Sequence, residues 1–357
     1  MTQPIPSTFP VTIGLDVGDR ATHFCALQDR RVLARGSFPT TQEGLDKALS
    51  AYPEARVVLE AGSQSPWMSR QLRASAFAVH VADPRRVQLI SKDPRKTDRR
   101  DAETLARFEA GIPELLGSVH HRSEQAQADL AMIRARDQLV GARTSLVQFV
   151  RGTHKSFGRR LPSASTAGFP SRVRDVRPKI LKPSIDPVLE QIDSLTASIR
   201  ALDRQIAKVA KQRYPEIELL QQVHGVGPVT AAAFVLTIED PTRFEESRRV
   251  GSWLGLCPRS HASGDSDPQL RISKSGDGYL RRLLVQCAQY ILGPFGKDSD
   301  LRRLGMRLVA RGGRAAKRKA ITAVARKLAV LLHRLWRRGL VYDPLHHANR
   351  LAKKAAV

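Results

Sequence analysis

The sequence VTIGLDVG, at residues 11–18, predicts a buried strand that ends in a turn, because a short apolar run gives way to an aspartate and a glycine. The next two stretches, HFCALQD and RVLARGSF, predict two further strands joined near Asp29. Beyond them, helices are predicted at 41–51, 65–75 and 97–110, and strands at VVLEAG (57–62) and FAVHVAD (77–83). This order of three strands, helix, strand, helix, strand and helix predicts one α/β domain of about 115 residues.

The remainder of the chain has mostly helical apolar spacing. Residues 123–157 predict a long helix, and residues 158–183, rich in proline, serine and arginine, predict a loop or basic linker. Residues 185–210 predict a coiled coil, within the chain or between two chains, and a helical hairpin with 123–157 is the alternative to dimerisation. Residues 315–338 predict a basic amphipathic helix. The heptad positions are Val188, Ile192, Leu195, Ile199, Leu202, Ile206 and Val209.

The charge of the chain indicates a polyanionic partner. Its 59 Lys and Arg residues against 34 Asp and Glu give a net charge of +25. Residues 301–357 hold sixteen basic residues against one acid, and residues 151–183 hold nine against one. Clustered positive charge releases counterions from phosphate backbones, so we expect nucleic acid to bind. A third basic cluster consists of Arg85, Arg86, Lys92, Arg95, Lys96, Arg99 and Arg100.

Other features limit the class of protein. No run approaches the roughly 18 uninterrupted apolar residues that a membrane span requires, and the opening MTQPIPSTFP lacks the pattern of a signal peptide. The three cysteines, Cys25, Cys257 and Cys287, are far apart in sequence, which excludes a CxxC metal knuckle and a disulfide framework. We therefore expect a cytoplasmic protein with no membrane partner.

Four carboxylates stand at positions that suit a metal site. Asp16 and Glu60 each end a predicted strand, and Asp98 and Asp101 lie three residues apart on one helix and therefore share a face. Acids from these elements can converge at one edge of a sheet, and Mg²⁺ prefers such oxygen ligands. Two ions about 4 Å apart would clamp both oxygens of a phosphodiester. Considered alone, each of the four acids is equally suited to be a helix cap, a turn residue or a charged residue on the surface.

A Gly-Val-Gly turn lies between two apolar helical stretches in LLQQVHGVGPVTAAAFVL, residues 219–236. This arrangement predicts a helix-hairpin-helix. Gly225 and Gly227 would let backbone N–H groups approach a phosphate. A tight turn without a ligand is the alternative.

The segments GLDVG, LEAG and KTDRRDAETLA resemble the DEDD transposases of the IS110/IS1111 insertion-sequence family, whose N-terminal domain has a RuvC-like, RNase H fold. HGVGPVTAAAFVLTI, DPTRFEESRRVGSWLGLCPR, ISKSGDGYLRRLL and RRGLVYDP resemble that family's C-terminal domain, so the resemblance covers nearly the whole chain. It implies that Asp16, Glu60, Asp98 and Asp101 are the metal ligands, with Mg²⁺ or Mn²⁺ as the cofactor.

The resemblance also implies a division into four regions. These are a RuvC-like DEDD domain at 1–118, long helices with a basic linker and coiled coil at 119–215, a mostly helical transposase domain at 216–345, and a basic tail at 346–357. The expected fold class is therefore an α/β RNase H-like domain followed by a central coiled coil and an α-helical C-terminal domain.

Members of that family are proposed to pair the four acids with a nucleophilic serine, in a segment that usually resembles PRxxSSGG. The corresponding segment is PRSHASGD at residues 258–265, in which Ser263 is the expected nucleophile. Ala262 and Asp265 depart from the family pattern. Without the resemblance, the segment predicts only a polar turn. The alternative serines are Ser260 and Ser266.

A serine hydroxyl attacking a DNA phosphate would store the bond energy in a phosphoserine ester, provided that a base or metal activates it. Three nearby basic residues, Arg259, Arg271 and Lys274, could neutralise charge on the phosphate. The serine and the acids would then form a composite site within one protomer or across two.

The leading hypothesis is a DNA recombinase of a bacterial or archaeal mobile element, associated with the nucleoid. The resemblance implies guidance by a noncoding bridge RNA, binding to the element's ends and target DNA, and assembly into a homodimer or tetramer. One alternative is a RuvC-like nuclease that hydrolyses DNA without a serine adduct. The other is a nucleic-acid-binding protein without catalytic activity.

Overall fold

The computed structural model describes residues 11–90, 98–261, 263, 266, 268 and 270–355. Contacts between residues divide the chain into two units, Met1–Glu124 and Gln125–Val357.

The first unit is built on a mixed five-stranded sheet with the strand order β3-β2-β1-β4-β5. The first three strands are antiparallel neighbours, whereas β4 runs parallel to both β1 and β5. This is the RNase H-like sheet that the resemblance implied. The strands are β1 (Thr12–Val17), β2 (Ala21–Gln28), β3 (Arg31–Pro39), β4 (Arg56–Glu60) and β5 (Ala78–Ala82).

Helices separate and follow the parallel strands, as their sequence periodicity predicts. One of them, seven residues long and beginning at Pro84, was not predicted. Proline suits the first turn of a helix, and the Asp83 carboxylate accepts a hydrogen bond of 3.0 Å from the Arg85 N–H. The helices are α1 (Gln42–Leu49), α2 (Ser65–Ala74), α3 (Pro84–Ile90) and α4 (Asp98–Gly111), with a 3₁₀ turn at Pro113–Leu115.

The two faces of the sheet carry different residues of β1, because successive side chains alternate. Ile13 and Leu15 lie in a buried apolar cluster with Leu45 of α1 and Met68 of α2. Gly14 lies on the opposite face, against α4. Asp16 shares that face by alternation, so the sheet directs its carboxylate toward the side on which α4 lies.

Gly14 permits an unusually close approach of α4 to the sheet. A Cβ atom at this position would lie 2.1 Å from the carbonyl oxygen of Ala102 and 2.6 Å from the backbone nitrogen of Ala106. Real Cβ atoms essentially never come this close to backbone atoms. The helix that carries Asp98 and Asp101 therefore depends on the absence of a side chain at position 14.

Replacing Gly14 with alanine is expected to push α4 away from β1 and to lower the free energy of unfolding by about 1–3 kcal/mol, the usual cost of overpacking. Denaturant unfolding would measure the loss. Gly111→Ala is the matched control, because a Cβ at the end of the same helix would meet nothing within 4 Å. Equal stability of Gly14→Ala and Gly111→Ala would contradict the steric argument.

The second unit is helical in all of its regular elements within the described residues. Its helices are α5 (Glu124–Ser156), α6 (Phe169–Val176), α7 (Lys182–Arg213), α8 (Glu216–Gln221), α9 (Pro228–Ile238), α10 (Arg248–Trp253), α11 (Gly278–Leu292), α12 (Asp300–Ala310), α13 (Ala316–Arg338) and α14 (His346–Ala355), with 3₁₀ turns at Lys179–Leu181 and Pro241–Arg243. The prediction that 158–183 is a loop or linker was wrong in part, since α6 lies within it. Phe169 and Val173, four residues apart, are each 1% exposed and bury this helix in an apolar cluster with Val150 and Ile185.

The heptad segment forms part of α7, which packs against α5 of the same chain. The Arg136 guanidinium pairs with Asp203, and Arg143 Nη1 donates a 3.3 Å hydrogen bond to Thr196 Oγ1. This contact is the intramolecular hairpin that the sequence offered as an alternative. Dimerisation stays a prediction.

The core of the second unit surrounds α9, every residue of which from Thr230 to Ile238 is buried. Helices α8, α11 and α13 contribute to the same apolar cluster. In the part of the chain that the structure describes, no helix is long and apolar enough to cross a membrane.

Candidate functional site

Asp16 and Glu60 end neighbouring strands. Leu15 of β1 pairs with Leu59 of β4 in parallel register, so the two acids follow directly after paired residues. Glu60 lies on the same face as Val58, which packs against Leu105 of α4. Both carboxylates therefore belong to the face of the sheet that α4 covers.

Asp98 and Asp101 lie in the first turn of α4. The helix brings this turn to the end of β1, because its later residues pack against Gly14. The Asp98 side chain is 73% exposed, and its Oδ2 lies 3.7 Å from Nε2 of His23. Asp98 thus approaches His23 on β2, the residue that pairs with Asp16 across the sheet.

The electrostatics of Asp16 place all four acids in one cluster. Burial, the largest cause, raises the pKa of Asp16 to about 6. Three carboxylates add to this rise, in the order Asp101, Asp98 and Glu60, while His23 lowers the pKa. Repulsion from these three carboxylates therefore acts directly on the half-buried Asp16.

This donor set suits a divalent cation. Carboxylate oxygens are the ligands that Mg²⁺ and Mn²⁺ take in proteins, and a 2+ charge would relieve the repulsion that raises the pKa of Asp16. Among the described residues, no group of three or more Asp, Glu, His or Cys side chains is already arranged to hold a metal ion. The acids are therefore neighbours, but they do not form a closed ligand shell.

The far end of α4 is anchored by a second charged network. Glu109, 2% exposed, lies 3.2 Å from Nε of Arg56 and accepts a short hydrogen bond from His80. That hydrogen bond raises the pKa of His80. Nε2 of His80 is 2.7 Å from the carbonyl oxygen of Gly117. Because a helix is stiff, fixing this end also fixes the register of the acids at the other end.

Ser263 lies on an exposed hairpin of the second unit. The Arg259 N–H donates a 3.0 Å hydrogen bond to the carbonyl of Arg271, which joins the two legs. Farther along, Ser263 and Ser266 exchange backbone hydrogen bonds of 3.0 and 3.1 Å. Ser263, Arg259, Arg271 and Lys274 are all exposed. Ala262 and Asp265, the departures from the family pattern, lie outside the described residues.

The basic residues predicted in the first unit are exposed where they are described. Arg85 and Arg86 lie on α3, and Arg99 and Arg100 lie on α4 beside the acids. Arg86 also donates a 3.1 Å hydrogen bond to the carbonyl of Glu114. Three predicted contacts lie outside the described residues, namely Lys92, Arg95 and Lys96.

The Gly-Val-Gly turn joins α8 to α9, as the sequence predicts. Gly225 has φ +95°, and a Cβ there would lie 3.1 Å from side-chain atoms of Ile291 and Tyr290 on α11. The positive φ and the close packing against α11 thus explain why residue 225 is a glycine, and no bound ligand is needed to explain it. Gly227 is exposed at the start of α9, with nothing within 4 Å of an added Cβ. A phosphate contact at Gly227 stays a prediction.

Comparison with known proteins identifies both units. Residues 13–156 match a DEDD domain of the IS110 type, described as "Transposase", and residues 217–300 match the family described as "Transposase IS116/IS110/IS902 family". A "Probable family 20 transposase" of Pseudomonas aeruginosa is 31% identical over 82% of this chain and 87% of its own length. The chain belongs to the IS110 family of transposases.

Other relatives of this IS110 transposase carry different names. The "Transposase for insertion sequence element IS1111A" of Coxiella burnetii is 25% identical over 92% of this chain and 90% of its own length. The "Pilin gene-inverting protein" of Moraxella lacunata is 30% identical over 42% of this chain and 47% of its own length. The family resemblance expected from the sequence is confirmed. A DEDD domain implies metal-dependent catalysis, and a transposase implies DNA binding.

Sequence reasoning missed two residues that shape the acidic site of the transposase. Gly14 lies within the predicted strand, but its role depends on which helix crosses it. His23 is the register partner of Asp16 across β1 and β2. The predicted strand HFCALQD contains this histidine, whereas its position opposite Asp16 depends on the length of the β1–β2 connection, which the pattern does not fix.

Proposed function

We propose that this IS110 transposase cuts and rejoins DNA strands by using its four acids with a divalent metal and Ser263 as the nucleophile. The observation that carries the proposal is the placement of Asp16 and Glu60 at the ends of adjacent strands and of Asp98 and Asp101 in the first turn of α4, where the other three carboxylates raise the pKa of the half-buried Asp16. This arrangement occurs inside the part of the chain that matches the DEDD domain.

The acids would hold Mg²⁺ or Mn²⁺, which supplies charge neutralisation at the reacting phosphodiester. Glu60 and Asp16 come from rigid strands, and the α4 pair comes from a helix fixed at its far end by Glu109. Carboxylates held in this way start close to one another, and a bound cation would draw them into its ligand shell and let it orient the phosphate. Arg99 and Arg100, exposed on the same helix, would hold the adjacent DNA backbone.

In the proposed step, Ser263 Oγ attacks the phosphorus atom and forms a phosphoserine ester. The bond from phosphorus to one deoxyribose oxygen breaks, and the serine proton passes through a base or water to that oxygen, which leaves as a hydroxyl. Rejoining reverses the step with a different DNA hydroxyl as the nucleophile, so no external energy is required. Ser263 is exposed on the hairpin whose two legs carry Arg259 and Arg271, which supports access by a polyanion.

Recombination is favoured over simple hydrolysis by one relative. The Moraxella lacunata protein is named for inverting a pilin gene. Inversion of a DNA segment requires that cut strands be rejoined. Because 42% of our chain aligns with that protein, we propose the same type of reaction for this transposase, in which cut strands are rejoined.

Guidance by a noncoding bridge RNA is a further part of the proposal. The chain has a net charge of +25 and only 5% aromatic residues, a composition better suited to contacts with nucleic-acid backbones than to stacking on many bases. Base pairing by an RNA would then supply the sequence specificity.

We also propose that the transposase assembles with itself. Along α7, Ile192, Ile199 and Ile206 are buried against its own chain, whereas Leu195 and Leu202 remain half-buried at the other heptad position. A second copy of the chain would cover the row formed by Leu195 and Leu202. Light scattering should give the mass of a dimer or tetramer for the wild type and a lower mass for Leu195→Lys/Leu202→Lys. A monomeric wild type at micromolar concentration would refute the proposal.

The test of the main proposal is denaturing electrophoresis of the transposase after incubation with element-end DNA, its candidate RNA and Mg²⁺. A protein–DNA adduct that survives denaturation is expected, and it should disappear with EDTA or without the RNA. Free nicked DNA without an adduct would favour the RuvC-like nuclease. Binding without any cleavage would favour the non-catalytic alternative.

A further inference from the structure

The imidazole of His23 lies within the acidic site, although the spacing of acids in the sequence gives no indication of it. His23 on β2 is directly paired with Asp16 on β1 in antiparallel register. Side chains of such pairs lie on the same face of the sheet, with their Cβ atoms about 5 Å apart. Cys25, two residues farther along β2, packs against Ala102 and Ala106, which confirms that this face of β2 is the one that α4 covers.

Neither nitrogen of this imidazole is hydrogen-bonded within the described residues. Nδ1 is buried and has no partner there. Nε2 lies 3.7 Å from Oδ2 of Asp98, which is too long for a hydrogen bond. Buried polar atoms almost always have a partner, so Nδ1 leaves this imidazole incompletely satisfied, and Nε2, on the side of Asp98, is the nitrogen available to an ion.

The 3.7 Å separation suits two ligands of one ion. Donors that each lie about 2.1 Å from a metal are roughly 3.0 Å apart when adjacent and roughly 4.2 Å apart when opposite. The distance from Nε2 of His23 to Oδ2 of Asp98 falls between these limits. An imidazole nitrogen and a carboxylate oxygen together bind transition metals better than carboxylates alone.

We propose that His23 is a fifth, nitrogen-donating residue of the metal site and that it biases this site toward Mn²⁺ over Mg²⁺. This inference rests on the proposed metal site of the four acids. Mg²⁺ prefers oxygen ligands and retains its waters, whereas Mn²⁺ accepts an imidazole readily. Removing the imidazole therefore weakens Mn²⁺ binding and leaves Mg²⁺ binding largely unchanged.

The test measures metal binding to the purified full chain without DNA. Electron paramagnetic resonance of free Mn²⁺ gives the Mn²⁺ affinity, and competition gives the Mg²⁺ affinity. For His23→Gln, we expect the Mn²⁺ dissociation constant to rise about tenfold or more and the Mg²⁺ constant to change less than about threefold. His120→Gln is the control, since it removes an exposed imidazole of the same unit.

A spectroscopic readout on the wild type adds evidence that does not depend on how well the variant folds. Pulsed resonance of Mn²⁺ bound to the wild type should detect coupling to an imidazole nitrogen, and this coupling should be retained in His120→Gln and lost in His23→Gln. Absence of nitrogen coupling in the wild type, or an unchanged Mn²⁺ to Mg²⁺ ratio in His23→Gln, would overturn the role of His23.

The experiment gives a different result if the four acids do not form a metal site. If Asp16→Asn binds Mn²⁺ as tightly as the wild type, the four acids are not the metal site, and both proposals fall. If Asp16→Asn loses Mn²⁺ while His23→Gln retains the wild-type ratio, only the role of His23 is wrong.

Discussion

Replacing Asp16 with asparagine is expected to lower the rate of DNA strand cleavage at least about 10³-fold, which corresponds to roughly 4 kcal/mol of lost transition-state stabilisation. Asparagine keeps the shape of the side chain but removes the charge that would hold a divalent ion. Asp16 is the acid on which burial and the three other carboxylates act together. No other single substitution should disturb the proposed ion more directly.

The same substitution should leave the fold intact. The ionised Asp16 carboxylate is disfavoured by burial and by its neighbours, so a neutral amide relieves repulsion in the metal-free protein. We therefore expect an unfolding free energy equal to or above that of the wild type, measured in EDTA. Asp19→Asn is the matched control, because Asp19 is exposed in the turn after β1. Wild-type cleavage by Asp16→Asn would refute a metal-dependent reaction at this site.

Replacing Ser263 with alanine is expected to eliminate the covalent protein–DNA adduct, with a loss of at least about 10³-fold. The side chain is exposed, and the hydrogen bonds that join this residue to Ser266 are made by its backbone, so alanine removes only the proposed nucleophile. Folding and DNA affinity should remain at wild-type levels. Quantitative gel analysis of the adduct, alongside a DNA-binding assay, separates chemistry from binding.

Ser266→Ala and Ser260→Ala are the controls for this substitution. Ser266 exchanges backbone hydrogen bonds with Ser263 and is also exposed, so its alanine variant perturbs the same hairpin without removing the proposed nucleophile. Both control variants should form the adduct. If one of them loses it and Ser263→Ala retains it, that serine is the nucleophile. If all three variants cleave DNA normally, the reaction is hydrolysis by the acids.

Much of the first unit could be predicted because its strands and helices have strong, distinct periodicities. The strand ends at Asp16 and Glu60 and the helical spacing of Asp98 and Asp101 are patterns that a single sequence displays, so these acids could be singled out before the structure was known. The helix at Pro84 was missed because a proline that ends a strand can equally begin a helix.

Other features depend on packing that a single sequence does not reveal. The composition of 158–183 resembles a linker, yet Phe169 and Val173 are buried when α6 lies against α7. His23 could be placed opposite Asp16 only after the strand register was known. The role of Gly14 likewise required knowing that α4, more than 80 positions later, crosses it.

The division of the acids between strands and α4 has a consequence for synthesis of the protein. A ribosome-bound chain that has not yet released residues 98–111 possesses Asp16 and Glu60 but lacks the other two carboxylates. Even after release, the pair arrives only when α4 docks over Gly14. On the proposed mechanism, nascent, truncated or partly unfolded copies in which α4 is not docked would lack two of the four acids of the metal site, so cleavage would require the finished tertiary structure of this unit.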